Sequence, residues 1–264
     1  MNEVATKPLT TMLNKVPEVT LAFWVIKIMS TTVGETGADY LAVHVGLGTA
    51  VTGAVMATLL VISLIMQLRA REYVPWIYWL TVVLVSVVGT QITDALTDGL
   101  GVSLYVSTAV FAAALIAIFT VWYRSEQTLS IHTIVTRRRE LFYWAAILFT
   151  FALGTAAGDL ATEALGLGFT IGVAVFGGLI AAVAVACYAG ANPVLSFWIA
   201  YVLTRPLGAS LGDLLSQSKT YGGVGLGTIL TSGIFLVVIA ALVAYLTFTT
   251  SPSTTCTINE GRAQ

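Results

Sequence analysis

The stretch FWVIKIMSTTVGETGAD, residues 23–39, begins like an apolar membrane-spanning helix and then turns polar. It opens on an aromatic–Trp pair, reaches a glycine after nine intervening residues, and ends on an aspartate after four more. The same spacing recurs without a gap in YWLTVVLVSVVGTQITD (78–94), YWAAILFTFALGTAAGD (143–159) and FWIAYVLTRPLGASLGD (197–213). Each copy is followed by Gly-Leu-Gly. The pattern therefore predicts four tandem copies of one two-helix unit.

The composition is that of a membrane protein. Of 264 residues, 57% are hydrophobic and only 9% are charged, whereas soluble domains carry about 25% charged residues. The net charge of −1 gives no basic surface for nucleic acid. The two cysteines, Cys187 and Cys256, are too far apart in sequence to indicate a disulfide framework or a thiolate metal site.

Eight stretches are long and apolar enough to cross about 30 Å of hydrocarbon, which takes about 20 residues each. They are residues 20–43, 48–68, 75–97, 102–123, 142–164, 168–189, 194–216 and 226–248. We therefore predict an all-α polytopic membrane protein with eight transmembrane helices. Nine Lys and Arg residues fall on the side of the N-terminus and only Lys219 falls on the other, which predicts that both termini are cytoplasmic.

The repeats set the predicted domain organisation. Each unit crosses the membrane twice, so all four units share one orientation and are parallel repeats about an axis along the membrane normal. Two inverted halves are disfavoured by this count. The predicted parts are a cytoplasmic lead (1–18), a single transmembrane domain (19–248) with repeats at about 19–70, 74–124, 140–190 and 193–248, and a cytoplasmic tail (249–264).

Each repeated residue type has an expected role. The aromatic–Trp pair is expected at the cytoplasmic interface, where amphipathic rings prefer to lie. The glycine is expected to let neighbouring helices approach closely. Gly-Leu-Gly is expected to make a tight outer turn. The aspartate lies about 22 Å along the helix from the Trp, so all four aspartates are expected at one depth.

These aspartates predict an acidic layer. An aspartate at the centre of a membrane helix costs about 2.5–3.5 kcal/mol, so four of them should face the protein interior or a water-filled vestibule. They are Asp39, Asp94, Asp159 and Asp213. Alternatively, each aspartate is a structural lock between neighbouring hairpins.

Further acids extend the predicted layer. Glu35 lies one turn deeper than Asp39, whereas Asp98 and Glu163 lie one turn towards the outer mouth. The last two have an alternative interpretation as solvated loop acids.

Oxygen donors surround this layer in the sequence. They are Thr31, Thr32, Thr36, Thr90, Gln91, Thr93, Thr155 and Ser210. An all-oxygen shell favours hard divalent cations such as magnesium, calcium or manganese. Glu35, Asp39 and His44 together would suit manganese. We expect such a cation as substrate and no covalent cofactor.

Two cations lie within the predicted spans. Lys27 follows Trp24 by three residues and is expected to snorkel to the inner interface. Alternatively, Lys27 belongs to a secondary site, because it breaks the repeat as Glu35 does. Arg205 is deeper and is expected to pair with a carboxylate, the candidates being Asp39, Glu35 and Asp159. Pro206 removes one backbone hydrogen bond and is expected to bend this span and to free a carbonyl at the site.

Three stretches carry a resemblance to a known group. KVPEVTLAFWVIKIMSTTVGETGADYL, GTAAGDLAT and LTRPLGASLGDLL resemble a family of uncharacterised bacterial multi-pass inner-membrane ("membrane-anchored") proteins. The resemblance implies a bacterial inner membrane and no particular chemistry.

The leading functional hypothesis is a transporter of cations, with a divalent metal such as manganese as the expected ion. A carboxylate ring would also suit a cation-selective, channel-like conduit. An intramembrane enzyme and a membrane protein that binds a small molecule or a cofactor such as haem or a pigment are further alternatives, and enzymatic activity is not expected. Expected partners are membrane lipids, the ion and, as an open alternative, further copies of the chain, without nucleic acid.

Overall fold

The computed structural model of the protein describes residues 14–39 and 48–249, without the side chains of residues 38 and 39. Within these ranges the regular structure is helical throughout, with eight α-helices of 19–24 residues. They are α1 (Leu21–Asp39), α2 (Gly48–Arg69), α3 (Pro75–Asp94), α4 (Leu104–Glu126), α5 (Arg137–Asp159), α6 (Gly168–Tyr188), α7 (Pro193–Ser216) and α8 (Thr228–Thr249).

Seven of these eight helices, α2 to α8, are long and apolar enough to cross a membrane. This indicates a membrane protein, as the composition predicts. The exception, α1, carries Lys27, Glu35 and Asp39 within 19 residues. An eighth crossing through α1 stays a prediction.

The odd-numbered helices form an inner ring and the even-numbered helices an outer layer. At least half of the residues are buried in the most apolar stretches of α3, α5 and α7, against 11–17% in α2, α4, α6 and α8. Around the ring, α1 packs on α3, α3 on α5, α5 on α7 and α7 on α1. The even-numbered helices therefore present most of their apolar surface outward, as helices in contact with lipid do.

The repeated glycines close this ring. In each repeat the glycine lies against the residue three positions before the equivalent glycine of the next repeat. The four contacts are Gly34 with Ser86, Gly89 with Phe151, Gly154 with Arg205 and Gly208 with Thr31. A Cβ added at Gly89 would lie 2.7 Å from Phe151 Cβ, closer than real Cβ atoms approach. Because the fourth contact returns to the first repeat, the inner helices have pseudo-four-fold symmetry about one axis.

The outer helices follow the same cyclic order. Each even-numbered helix packs mainly on the inner helix of the next repeat: α2 on α3, α4 on α5, α6 on α7 and α8 on α1. Hydroxyl pairs join two of these interfaces, Ser63 with Thr81 at 2.5 Å and Thr36 with Ser232 at 2.6 Å. The repeats are thus interlocked, since each hairpin contributes its second helix to its neighbour.

The ends of two inner helices differ from the predicted spans. A π-helical turn follows Asp94 in repeat two (Ala95–Gly99) and Asp159 in repeat three (Leu160–Ala164). π-Helical turns are rare overall, but those that occur are often found at functional sites. By contrast, α7 runs without interruption through Pro206. The bend expected at Pro206 therefore does not end the helix, and it stays a prediction.

Most rings of the aromatic–Trp pairs are buried inside the protein and do not form an exposed belt. Phe23, Tyr78 and Tyr143 are at most 1% exposed, and the hydroxyls of Tyr78 and Tyr143 lie 2.5 Å apart. Trp79 and Trp198 are also buried. These rings fill one end of the inner ring, because four converging helices leave a space that large side chains occupy.

The segment before α1 covers this aromatic end. We call residues 14–20 the N-terminal strap. Lys15 Nζ lies 2.7 Å from Glu140 Oε2 and donates to Leu68 O at 3.2 Å, and Lys15 and Glu140 are each 1% exposed. Since α1 and α5 are opposite members of the ring, the strap crosses its end to reach Glu140. The rest of the predicted lead (1–13), the last residues of the predicted tail (250–264) and the first Gly-Leu pair (46–47) lie outside the described residues.

Candidate functional site

The repeated positions stack in layers along the axis of the ring. Successive layers are four residues apart, or about 6 Å along each helix. From the strap outward they are Phe23-Tyr78-Tyr143-Phe197, Lys27-Val82-Ile147-Tyr201, Thr31-Ser86-Phe151-Arg205, Glu35-Thr90-Thr155-Ala209 and Asp39-Asp94-Asp159-Asp213. Every residue of the three middle layers is at most 9% exposed, whereas Asp94, Asp159 and Asp213 are half-buried. The axis is closed in the middle and opens towards the aspartates.

Arg205 lies at the centre of the closed region. Its Nη2 donates to Glu35 Oε2 at 2.7 Å, to Thr155 Oγ1 at 2.7 Å and to Thr90 Oγ1. Its Nη1 donates to Thr31 O at 3.1 Å. Arg205 is fully buried and Glu35 is 9% exposed. Of the two predicted candidates whose side chains the structure describes, Glu35 and Asp159, Glu35 is the one that forms an ion pair with Arg205.

These partners are related by the repeat. Glu35, Thr90 and Thr155 occupy the same position, eleven residues after the Trp, in repeats one, two and three. Arg205 comes from the fourth repeat, one turn earlier. The guanidinium of Arg205 therefore donates hydrogen bonds to the equivalent side chain of each of the other three repeats. We call the oxygens of Glu35, Thr90, Thr155 and the Thr31 carbonyl the oxygen cage.

The hydroxyls of the cage act as acceptors. The Thr155 hydroxyl donates to Phe151 O at 3.1 Å, and the Thr90 hydroxyl has two acceptors, Ser86 O at 3.2 Å and Glu35 Oε2 at 3.4 Å. Their lone pairs are then directed at the guanidinium. The cage consists of acceptor oxygens, and a cation is the species that such a cage suits.

Carboxylates lie on the open side of the cage. The charge of Asp159 interacts with those of Glu35, Glu163, Asp94 and Arg205. The charge of Glu163 interacts in turn with those of Glu35 and Asp98, and both Asp98 and Glu163 are exposed. Acidic groups of repeats one, two and three are thus within electrostatic range of one another. Asp213 is half-buried on α7.

Lys27 lies on the closed side of the cage, contrary to the expectation that it snorkels. It is 0% exposed, and among the described residues its Nζ has no hydrogen-bond partner. The ammonium lies 4.0 Å from the ring centre of Phe151 and 4.3 Å from that of Tyr201. It cannot reach an interface because α1 is in the inner ring and its side chain crosses towards α5.

The other predicted site residues have different outcomes. Thr32 donates to Gly208 O at 3.0 Å and so joins α1 to α7. Gln91 is half-buried, and its amide atoms have no hydrogen-bond partner in the described part of the chain. The side chain of Asp39 and the whole of His44 lie outside the described residues. The described residues hold no group of three or more His, Cys, Asp or Glu that could bind a metal ion.

The sequence patterns missed the oxygen cage as a unit. Thr90 and Thr155 were grouped with other oxygen donors, although their shared spacing from Trp79 and Trp144 equals that of Glu35 from Trp24. The repeat alignment therefore contained the signal. It was missed because the aspartate is the same residue in every repeat, whereas the cage position keeps its spacing but changes its residue from Glu to Thr.

Comparison with known proteins gives one family. A family model described as Repeat of Unknown Function (DUF347) matches the chain four times, at residues 22–73, 77–128, 142–190 and 196–251. Each match covers one of the four two-helix units. No curated protein and no solved structure matches the chain.

Proposed function

The chain belongs to the family described as Repeat of Unknown Function (DUF347), and we propose that it is a membrane transporter of cations in which Arg205 competes with the transported ion. The observation that carries the proposal is the oxygen cage. One carboxylate, two hydroxyls and one carbonyl surround a buried cationic group that comes from the fourth repeat. A free cation that displaced the guanidinium would find a prepared all-oxygen shell.

The proposed pathway begins at the open side of the axis. Asp98 and Glu163 at the mouth, followed by Asp94 and Asp159, would concentrate cations there, because a cleft lined by one sign of charge raises the local counter-ion concentration. The ion would then reach Glu35 and replace Arg205. The remaining closed layers would have to open for the ion to leave on the strap side.

Arg205 favours a transporter over a channel-like conduit. A conduit needs a continuous path, and here a fully buried guanidinium and the rings of Phe151 and Tyr201 close the axis. An exchange of the guanidinium for an ion is a discrete step between two states, which is how alternating access operates.

The location and the ion belong to the same proposal. We propose a bacterial inner membrane on the basis of the sequence resemblance, and both termini in the cytoplasm with eight crossings on the basis of the apolar stretches and the Lys and Arg distribution. The cage contains oxygens and no sulfur or imidazole, which favours hard ions. Mn²⁺, Mg²⁺ and Ca²⁺ are the first candidates, and Na⁺ and K⁺ follow because the cage holds a single carboxylate.

The test is ion uptake by the purified protein in liposomes. Mn²⁺, Mg²⁺, Ca²⁺, Na⁺ and K⁺ are compared, with Zn²⁺ as a softer ion, and uptake is measured against empty liposomes. We expect uptake of at least one hard ion, and its loss in Glu35→Gln with an unchanged size-exclusion profile. Glu72→Gln is the matched control, since Glu72 is an exposed acid in the connection between α2 and α3. Uptake no faster than in empty liposomes for every ion, or normal uptake by Glu35→Gln, would overturn the proposal.

A further inference from the structure

We propose that Lys27 is the proton-carrying group of this transporter, so that one proton on its amine nitrogen is exchanged against the positive charge of the incoming cation. This inference rests on the proposed function and goes further by naming the coupling ion and its site. It starts from the environment of Lys27, which differs from that of the other buried cations.

Lys27 is unlike Lys15 and Arg205. Lys15 and Arg205 are buried against carboxylates, Glu140 at 2.7 Å and Glu35 at 2.7 Å. Lys27 is equally buried, but within the described residues its Nζ meets no carboxylate and no hydrogen-bond acceptor. Two ring faces are its polar contacts, and cation–π contacts are worth about 2 kcal/mol when desolvated. That is less than the several kcal/mol that burying an ion costs. The ammonium is therefore only partly stabilised at this site, and the amine can give up its proton there.

Among the titratable and charged groups on the helices packed around Lys27, one has a charge that acts on Lys27. The titratable or charged residues of α3, α5, α7 and α8 are Tyr78, Asp94, Arg137, Arg138, Arg139, Glu140, Tyr143, Asp159, Tyr201, Arg205, Asp213 and Tyr245. Of these, Arg205 is the one whose charge interacts with Lys27. It lies in the adjacent layer, on the side from which the cation would arrive.

Electrostatic repulsion then couples cation binding at Glu35 to proton release from Lys27. In the described state Glu35 neutralises Arg205, and the layers between Lys27 and Glu35 hold no other carboxylate among the described side chains. A cation that binds Glu35 takes this negative charge from Arg205 and leaves the guanidinium next to Lys27. Two unpaired like charges in a low-dielectric interior repel strongly. Release of the Lys27 proton on the side from which the cation entered removes the repulsion. After the cation has left on the strap side, the amine takes up a proton from that side, so that one proton crosses the membrane against each cation.

Lys27→Met separates coupling from transport. Methionine fills a similar volume and holds no proton. In liposomes, radiolabelled Mn²⁺, with radiolabelled Na⁺ in parallel, is followed in two assays: accumulation driven by a proton gradient, and exchange of labelled for unlabelled ion without a gradient. We expect Lys27→Met to lose gradient-driven accumulation down to the level of empty liposomes and to retain exchange. Lys219→Met, a change at an exposed lysine, should behave as wild type in both assays.

The outcomes separate the two proposals. Absence of exchange by the wild-type protein would contradict the proposed function itself. Exchange by the wild type together with gradient-driven accumulation by Lys27→Met would contradict the role of Lys27 and leave the transport proposal in place. Lys27→Arg is a second variant for the same assays, because its side chain does not release a proton. It should lose accumulation, and accumulation at the wild-type level would also contradict the inference.

Discussion

The carboxylate of Glu35 lies 2.7 Å from the guanidinium of Arg205, although the two residues are 170 positions apart and belong to the first and last repeats. The pair connects the first and last repeats of the tandem array, whose inner helices α1 and α7 are neighbours in the ring. Its surroundings come from the second and third repeats through Thr90 and Thr155. All four repeats therefore contribute to one polar centre, and each contributes differently.

The oxygen cage predicts ion-dependent stability in a variant that lacks the guanidinium. Arg205→Ala leaves the buried Glu35 unpaired, and removal of one partner of a buried pair costs about 3–5 kcal/mol. A cation that fills the cage at ten times its dissociation constant would restore about 1.4 kcal/mol. We expect the thermal unfolding midpoint of Arg205→Ala in detergent to rise with Mn²⁺, Mg²⁺, Ca²⁺ or Na⁺.

Two comparisons make this measurement specific to the cage. The wild-type protein should show a smaller rise, because Arg205 already fills the site. The double variant Arg205→Ala/Glu35→Gln should show none, because the single carboxylate of the cage is gone. An equal rise in the double variant would mean that the ions act elsewhere.

The sequence predicted the repeated architecture well because the repeat is dictated by local packing. Gly34, Gly89, Gly154 and Gly208 are needed wherever one inner helix meets the next. That requirement is the same in all four units, so it leaves an identical residue at an identical spacing. The helices themselves follow from apolar runs long enough to cross a membrane.

The aromatic layer and Lys27 were misplaced for a common reason. Aromatic rings and lysines near the end of a membrane helix are usually interfacial, and the sequence does not say which face of α1 is inside a ring. In the structure, Phe23 and Lys27 are inside it and the outer helix α8 covers α1. Burial of this kind depends on the cyclic order of all eight helices, which no single span contains.

The repeated glycines predict equal effects around the ring. A Cβ at Gly89 would lie 2.7 Å from Phe151 Cβ, and one at Gly154 would overlap the side chain of Arg205. Overpacking of this kind costs about 1–3 kcal/mol. We expect Gly89→Ala and Gly154→Ala to lower the thermal midpoint in detergent. Gly37→Ala is the matched control, because a Cβ there meets nothing within 4 Å.

The control variant Gly37→Ala should instead raise the thermal midpoint. Alanine at an unhindered helical position stabilises by about 0.4–1 kcal/mol, because it restricts the unfolded chain more than glycine does. If Gly89→Ala and Gly154→Ala were as stable as Gly37→Ala, the close approach of the inner helices would be refuted.

The tyrosine pair of the aromatic layer predicts a coupled effect on stability. Tyr78→Phe leaves the buried hydroxyl of Tyr143 without its partner at 2.5 Å, which costs about 1–3 kcal/mol. Tyr143→Phe should cost a similar amount, whereas the double variant removes both hydroxyls and leaves neither unsatisfied. The unfolding free energies of the four proteins form a double-mutant cycle. Additive costs would show that the two hydroxyls do not interact.

The ion pair of Lys15 and Glu140 is predicted to hold the N-terminal strap against the closed end of the axis. Lys15 donates to Glu140 and to the Leu68 carbonyl at the end of α2, and Gln67 donates to Glu140 at 3.4 Å. Lys15→Met leaves Glu140 buried without its countercharge, which should lower the unfolding free energy by about 3–5 kcal/mol. Lys15→Met/Glu140→Leu removes both charges and should recover most of that loss.

The local readout is protease cleavage within residues 14–20, which should accelerate in Lys15→Met because the strap loses its contacts with α2 and α5. Lys219→Met, at an exposed lysine outside the strap, should leave the cleavage rate unchanged, and equal rates in Lys15→Met and wild type would show that the ion pair does not hold the strap in place.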